Sequence, residues 1–353
     1  MKTLIPAFII SVLVLVSGCS YTNNLQIIED KDQNNREFRG IVDIINQPGN
    51  TNILFIHGMG GYSSNNGKID PCNVINDVRG AFGLEPATFN IPQWHCDNTF
   101  STSGKTIHLR SMHWSDITFT RKNSLRHIDA NPTFLENRAA ITRQIKESLI
   151  NNGFSDALMY TGVYQQKIIK RVIESYSHIN QINPGAKVVI VTFSLGSAIM
   201  IDSLKELEMI NKANLLKEKV EIIYMMANQI PLIQIGTQPI STINTKDTPK
   251  DDFYTSLIPY LAKNGTKLDD KEIRIVAFSD PNDLLSYPLD ANNMGELSSK
   301  YVNVAISVAD KTFYVPFYKE KSSFVNYLKA HTGYTYNHNV KELLLNGNHS
   351  QAK

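Results

Sequence analysis

The sequence predicts an α/β protein with a mostly parallel central sheet, helices on both faces, and insertions that interrupt the pattern. Three observations carry this prediction. Short apolar runs suited to buried parallel strands recur, most clearly Asn52 to Ile56 and Ala186 to Phe193. Stretches with apolar residues at helical spacing separate them. Turn formers such as Pro184-Gly185 fall at the junctions. Strand and helix in alternation bury best as a parallel sheet covered on both faces.

Taken in order, the first residues read as an address. Lys2 supplies a positive start, and Leu4 to Val16 is almost wholly apolar but short for a spanning helix. The sequence Val16-Ser17-Gly18-Cys19 resembles the lipobox of bacterial lipoproteins. That resemblance implies a signal peptide over residues 1–18 and a lipid on Cys19. Ser20 after the cysteine resembles lipoproteins forwarded to the outer membrane of the bacterial envelope. An ordinary secretory signal is the simpler alternative. Residues 19–39 are polar and read as a tether. Export predicts an oxidising compartment, where Cys72 and Cys96 form an even pair. A disulfide between them stabilises by about 3 kcal/mol.

The body of the fold then spans residues 40–353. Asn52 to Ile56 and Thr106 to Trp114 read as strands. Glu136 to Asn151 and Val163 to Ile179 carry helical spacing. Ala186 to Phe193 is the most strand-like run, followed by a helix over Ser197 to Leu207 and strands over Lys219 to Met226 and Glu272 to Phe278. Val302 to Val308 and Thr312 to Phe317 suggest a late hairpin, and Val340 to Leu345 a closing helix. Stretches near 115–164 and 228–270 fit the alternation poorly and read as cap or lid insertions.

Composition narrows the function classes. A hydrophobic share of 42% supports a substantial core. Formal net charge is only +2 with no long basic block, so no nucleic-acid partner is implied. No CxxC or HExxH spacing occurs, and neither GxGxxG nor GxxxxGK[ST] is present, so no metal and no cofactor is expected.

Four features carry chemistry, and the first three each follow a predicted strand. HGMGG, His57 to Gly61, is a glycine loop that can turn a backbone N–H inward. TFSLGS, Thr192 to Ser197, lies between a strand and a helix, although Ser194 could merely cap that helix. SDPNDLLSYP, Ser279 to Pro288, supplies two carboxylates, and AHTGYTYNHNV, Ala330 to Val340, supplies two histidines.

This order resembles the α/β-hydrolase family of lipases and esterases, over about Asn52 to Val340. The TFSLGS run is similar to the G-x-S-x-G nucleophile elbow, departing from it in Thr192, where that pattern has glycine. The resemblance implies Ser194 as nucleophile and the N–H groups of Met59 and Leu195 as oxyanion hole. It implies Asp283 as acid, with Asp280 the alternative and otherwise a turn former beside Pro281. It implies His331 as base, with His338 the alternative. Trp114 resembles an acyl-pocket aromatic, though such a residue is more often core. Tyr160 and Tyr164 line either a cap or a packed helix face, and His95 and His113 read as structural. The implied function is hydrolysis of carboxylic esters with lipid-like or other hydrophobic acyl groups, through an acyl-enzyme and with the membrane as neighbour. A non-catalytic, envelope-anchored binding protein on the same scaffold is the alternative that Thr192 keeps open.

Overall fold

The computed structural model describes residues 36–59, 72–89, 94–235, 254–262, 272–290, 294–309, 311–314 and 323–348. Cys19, the leader and most of the tether lie outside them, as does most of the segment 228–270.

A seven-stranded sheet forms the centre. Its strands are β1 (Thr51–Ile56), β2 (His95–Thr102), β3 (Lys105–Met112), β4 (Lys187–Phe193), β5 (Val220–Met226), β6 (Ile275–Ser279) and β7 (Tyr301–Ala305), in spatial order 2-3-1-4-5-6-7. Every neighbouring pair is parallel except β2 and β3, which pair antiparallel. β2 and β3 are joined by Ser103 and Gly104, both in the left-handed region. β2 was not legible in the sequence, because HCDNTFST is polar and lies at the sheet edge.

Parallel strands buried on both faces explain the unbroken apolar runs. Leu54 and Ile56 of β1, with Val188 and Ile190 of β4, face one core. Ile53 and Phe55, with Val189 and Val191, face the other. Helices α1 (Ile41–Asn46) and α2 (Asn73–Ala81) cover the second core, and α2 is joined to β2 through the Cys72–Cys96 disulfide, Cα to Cα 5.7 Å.

After β3 the chain makes a helical insertion of α3 (Ser115–Asp129), α4 (Pro132–Glu136), α5 (Ala140–Ile145), a π-helix (Lys146–Phe154) and α6 (Ser155–Tyr160). The helical spacing expected over Glu136 to Asn151 is realised from Ala140 onward, where α5 runs directly into the π-helix. Ala139 is extended and restarts the chain, and the π-helix winds the following turns wider. Asp129 gathers this insertion: it accepts from Arg138 Nη2 at 2.7 Å, from Asn151 Nδ2 at 3.0 Å and from Lys146. These donors hold its carboxyl well below the ordinary carboxylate range. A second clasp is fully buried: Lys122 of α3 meets Asp156 of α6 at 2.9 Å, and Thr118 donates to the same carboxylate.

The helices α7 (Gln165–Ile182) and α8 (Gly196–Met209) follow, each packing on the first core. Short helices α9 (Ile230–Gln234) and α10 (Ile258–Leu261) come after β5. The late hairpin differs from expectation. β7 completes the main sheet parallel to β6, and the hairpin joins β8 (Lys311–Tyr314) to β9 (Ser323–Val325) in a separate two-stranded sheet. β7 is the edge strand beyond β6, and it buries Tyr301, Val302 and Val304. Helices α11 (Tyr327–Thr332) and α12 (His338–Asn346) close the chain, each capped by an asparagine side chain, Asn326 and Asn337.

Candidate active site

Ser194 stands directly after β4 and before α8. Its φ is 56°, in the left-handed region that a non-glycine residue enters at a cost of roughly 1 kcal/mol or more. The conformation is held from outside: its N–H donates to the Met226 carbonyl at the end of β5, 2.8 Å away. Ser197, the second residue of α8, donates its hydroxyl to the Ser194 carbonyl at 2.8 Å.

The loop after β1 crosses this turn in direct contact, and glycines sit at both points of crossing. A Cβ on Gly58 would lie 2.4 Å from the Phe193 carbonyl oxygen and 2.6 Å from Ser194 Cβ. A Cβ on Gly196 would lie 2.4 Å from the Ile56 carbonyl oxygen. Thr192 is not at the crossing. It is fully buried within β4, and its hydroxyl donates to the Tyr224 carbonyl at 3.4 Å. The departure from the family pattern is thus absorbed inside the sheet.

Met59 and Leu195 flank this crossing and are both buried. Leu195 opens α8, so its N–H points out of the helix start, where the helix field favours negative charge. Neither N–H has a hydrogen-bond acceptor among the described residues. Trp114 supports the loop from below. It is almost fully buried, and its indole N–H donates to the His57 carbonyl at 3.1 Å. The ring therefore serves the loop as a pillar within the first core.

His331 lies in the last turn of α11, where the helix end favours positive charge. Its Nε2 is 3.0 Å from Ser194 Oγ, and its Nδ1 is 2.9 Å from both carboxylate oxygens of Asp283. Ser194 and the Asp283 side chain are fully buried, and His331 retains a thin exposed edge.

The two candidate aspartates separate cleanly. Asp280 Oδ1 accepts from the Asn282 N–H at 2.8 Å, and Oδ2 accepts from the Val308 N–H at 2.6 Å and the Ala309 N–H at 3.3 Å. It ties the β6 turn to the segment after β7. Asp283 instead turns toward His331 while accepting from the Leu285 N–H at 2.9 Å. Of the two histidines, His338 is exposed at the start of α12.

Sequence reasoning missed Tyr334. It is fully buried, and its hydroxyl oxygen accepts from the Asp280 N–H at 2.6 Å while facing Asp283 Oδ2 at 3.3 Å and Ser286 Oγ at 3.2 Å. Burial, with the Asp283 charge beside it, raises its pKa well above the usual phenol value, so it stays a donor. The signal was present as Gly333-Tyr334 beside His331, but nothing in spacing distinguishes it from a turn tyrosine. Tyr160 is likewise buried and donates to Asp202, while Tyr164 is half-buried against the first core. His113 is buried.

His57 opens the crossing loop. Burial pushes its pKa down to about 4, partly opposed by the Gly58 carbonyl 3.0 Å from Nδ1, and His113 and Lys122 lower it further. No helix of the described residues is long and apolar enough to cross a membrane.

No family model matches this chain, and no curated protein matches it. Six chains of known structure do. One is the type II thioesterase BorB from the borrelidin biosynthetic cluster, 9% identical over 77% of this chain and 88% of that one, with a TM-score of 0.27. A likeness at that score adds nothing to the geometry above. What is established for this chain is an α/β fold whose mostly parallel seven-stranded sheet is flanked by helices.

Proposed function

We propose that the chain is a serine hydrolase of the α/β-hydrolase type that cleaves esters of hydrophobic acyl groups. One observation carries the reading: a left-handed Ser194 whose Oγ is 3.0 Å from His331 Nε2, with Asp283 on the other ring nitrogen. A helix-capping serine has no need of that histidine or of that backbone conformation.

The steps follow from these groups. His331 Nε2 takes the Ser194 proton as Oγ attacks the acyl carbonyl. Asp283 holds Nδ1–H and stabilises the imidazolium. The oxyanion develops against the Met59 and Leu195 N–H groups, each worth about 2.7–4 kcal/mol in the transition state. The protonated histidine then returns its proton to the leaving alcohol, and a water activated by the same ring releases the acid. Thioesters react by the same steps with a thiol leaving.

The test is covalent labelling by a fluorophosphonate. Wild-type protein labels at Ser194, and Ser194→Ala does not. A folded wild-type chain that never labels returns the protein to the alternative of a non-catalytic binder. An ester and thioester panel graded by acyl length then sets the substrate class.

The same proposal places the enzyme in the bacterial envelope, held to a membrane by a lipid on Cys19. Mass analysis of the mature N-terminus checks this directly. A diacylated Cys19 supports it, and an unmodified Met1 or a soluble cleaved form removes it.

A further inference from the structure

A second cluster of reactive side chains lies far from Ser194, on the edge of the sheet. Strand alternation builds it. On β2, His95, Asp97 and Thr99 share one face while Cys96 points to the other, where its disulfide lies. On antiparallel β3, Arg110 stands opposite Asp97 and His108 opposite Thr99. The helix α7 lies against this part of the sheet and brings His178 to the same face.

The donor atoms converge. His108 Nε2 is 3.7 Å from Asp97 Oδ1, and His178 Nε2 is 3.8 Å from Asp97 Oδ2. One donor atom from each of the three residues lies within 4.8 Å of the others. His95 Nε2 is 3.1 Å from Asp97 Oδ2, a fourth nitrogen within reach. His108 is almost fully buried and its Nε2 has no hydrogen-bond partner, an arrangement that is costly unless something occupies it. Its other nitrogen is fixed by Thr99 Oγ1 at 2.8 Å. With Nδ1–H donating to that hydroxyl, Nε2 presents its lone pair to the cluster, as metal-binding imidazoles do.

From this geometry we propose that the chain binds one divalent transition-metal ion of the zinc class through His108, His178 and Asp97, with the fourth position open to His95 or water. Tetrahedral zinc with bonds of about 2.0–2.2 Å sets neighbouring donors roughly 3.3–3.6 Å apart. The 3.7 and 3.8 Å run to different oxygens of Asp97, and with one donor atom from each residue the three lie within 4.8 Å, so closing on an ion takes side-chain shifts of about 1 Å. Two imidazoles and one carboxylate suit zinc, nickel or copper, and not calcium or magnesium.

Arg110 bears on the affinity. Its Nη1 is 2.7 Å from both Asp97 oxygens. A carboxylate offers about four lone-pair sites, so this grip leaves room for a metal and orients the ligand. Its positive charge also opposes the ion, and the site is accordingly weaker than a structural four-ligand zinc centre. An entry path exists: a cleft of about 710 Å³ lined by Trp94, Arg110, Lys170, Glu174, His178 and Gln181 opens beside the cluster. The site is separate from Ser194. His108 is level with Asn52 of β1 and Val188 of β4, six residues before Ser194, roughly 20 Å along the strand. Sequence spacing hid it because the ligands come from three elements.

The experiment titrates zinc sulfate into the full, chelator-stripped chain by calorimetry, with circular dichroism as a check on folding. One zinc per chain is expected, with binding weakened by about tenfold or more in His178→Ala. That side chain is 39% exposed, so its removal leaves the core untouched. His127→Ala, exposed on α3, binds as wild type does. Cobalt substitution of the wild-type chain gives a second readout that needs no variant: the intense visible band of a four-coordinate N/O site. No zinc uptake by folded wild type, no such cobalt band, or His178→Ala binding as wild type each overturns the proposal.

Discussion

The Tyr334 hydroxyl donates to Asp283 Oδ2 at 3.3 Å, and both side chains are buried. It also receives the Asp280 N–H, so one phenol touches both aspartates of the turn after β6. The histidine is thus oriented by a carboxylate that is itself oriented. Tyr334→Phe removes the hydroxyl and keeps the ring against Phe193. We expect kcat to fall by about tenfold with KM little changed, since the loss acts through Asp283 and not on substrate binding. Steady-state kinetics with any ester that turns over checks this.

The aspartate pair gives a sharper contrast. Asp283→Asn keeps the shape but loses the charge facing His331, and turnover should fall on the order of 10⁴-fold with the fold intact. Asp280→Asn instead weakens the bonds that the Val308 and Ala309 N–H groups make to a carboxylate. It should cost about 1–3 kcal/mol of stability. Denaturant melts and kinetics on both variants decide, and a larger kinetic loss in Asp280→Asn would reverse the assignment.

Gly196→Ala tests the crossing. Its methyl would lie 2.4 Å from the Ile56 carbonyl oxygen, a backbone atom with nowhere to go. A destabilisation of about 1–3 kcal/mol is expected, together with loss of fluorophosphonate labelling as the loop is pushed from Ser194. Gly80→Ala, with nothing within 4 Å of the added methyl on a helix, is the matched control and should be neutral or stabilising.

Stability should also fall in mild acid. His57 titrates near 4 in the fold against 6.5 when unfolded. Between those values the unfolded chain binds the extra proton, so stability is full above pH 6.5 and falls as pH drops toward 4, by up to about 3 kcal/mol. Urea midpoints at pH 7 and pH 4.5 measure the loss, and His57→Asn should shrink it, leaving the share of His108, which burial also lowers to about 4. An unchanged slope in that variant would assign the acid sensitivity elsewhere.

What was legible in the sequence was whatever lay in one local run. Asn52 to Ile56 and Ala186 to Phe193 read as buried strands because burial on both faces removes polar alternation. Ser194 and Asp283 follow strands, and these two and His331 of α11 each lie two residues from a glycine or proline, which made them local candidates. Illegible features depend on contacts between distant segments. Asp280 and Asp283 differ only in which of them meets Val308 and which meets His331. β2 is polar because one of its faces carries the His95, Asp97 and Thr99 series, which a hydrophobic pattern cannot register. The helix expected over Glu136 to Asn151 starts only at Ala140 and widens into a π-helix at Lys146, while Arg138, Lys146 and Asn151 all bond to Asp129, which lies outside that window.

The left-handed backbone of Ser194 bears on how this protein can be improved or degraded. Glycine adopts φ near 56° freely, so Ser194→Gly relaxes the turn that the surrounding sheet otherwise enforces. The most comfortable residue at this position is one that cannot attack a carbonyl. A library screened for heat resistance alone should therefore enrich inert variants at position 194, and lineages released from selection for turnover should drift the same way. Any engineering of this chain needs an activity screen beside the thermal one.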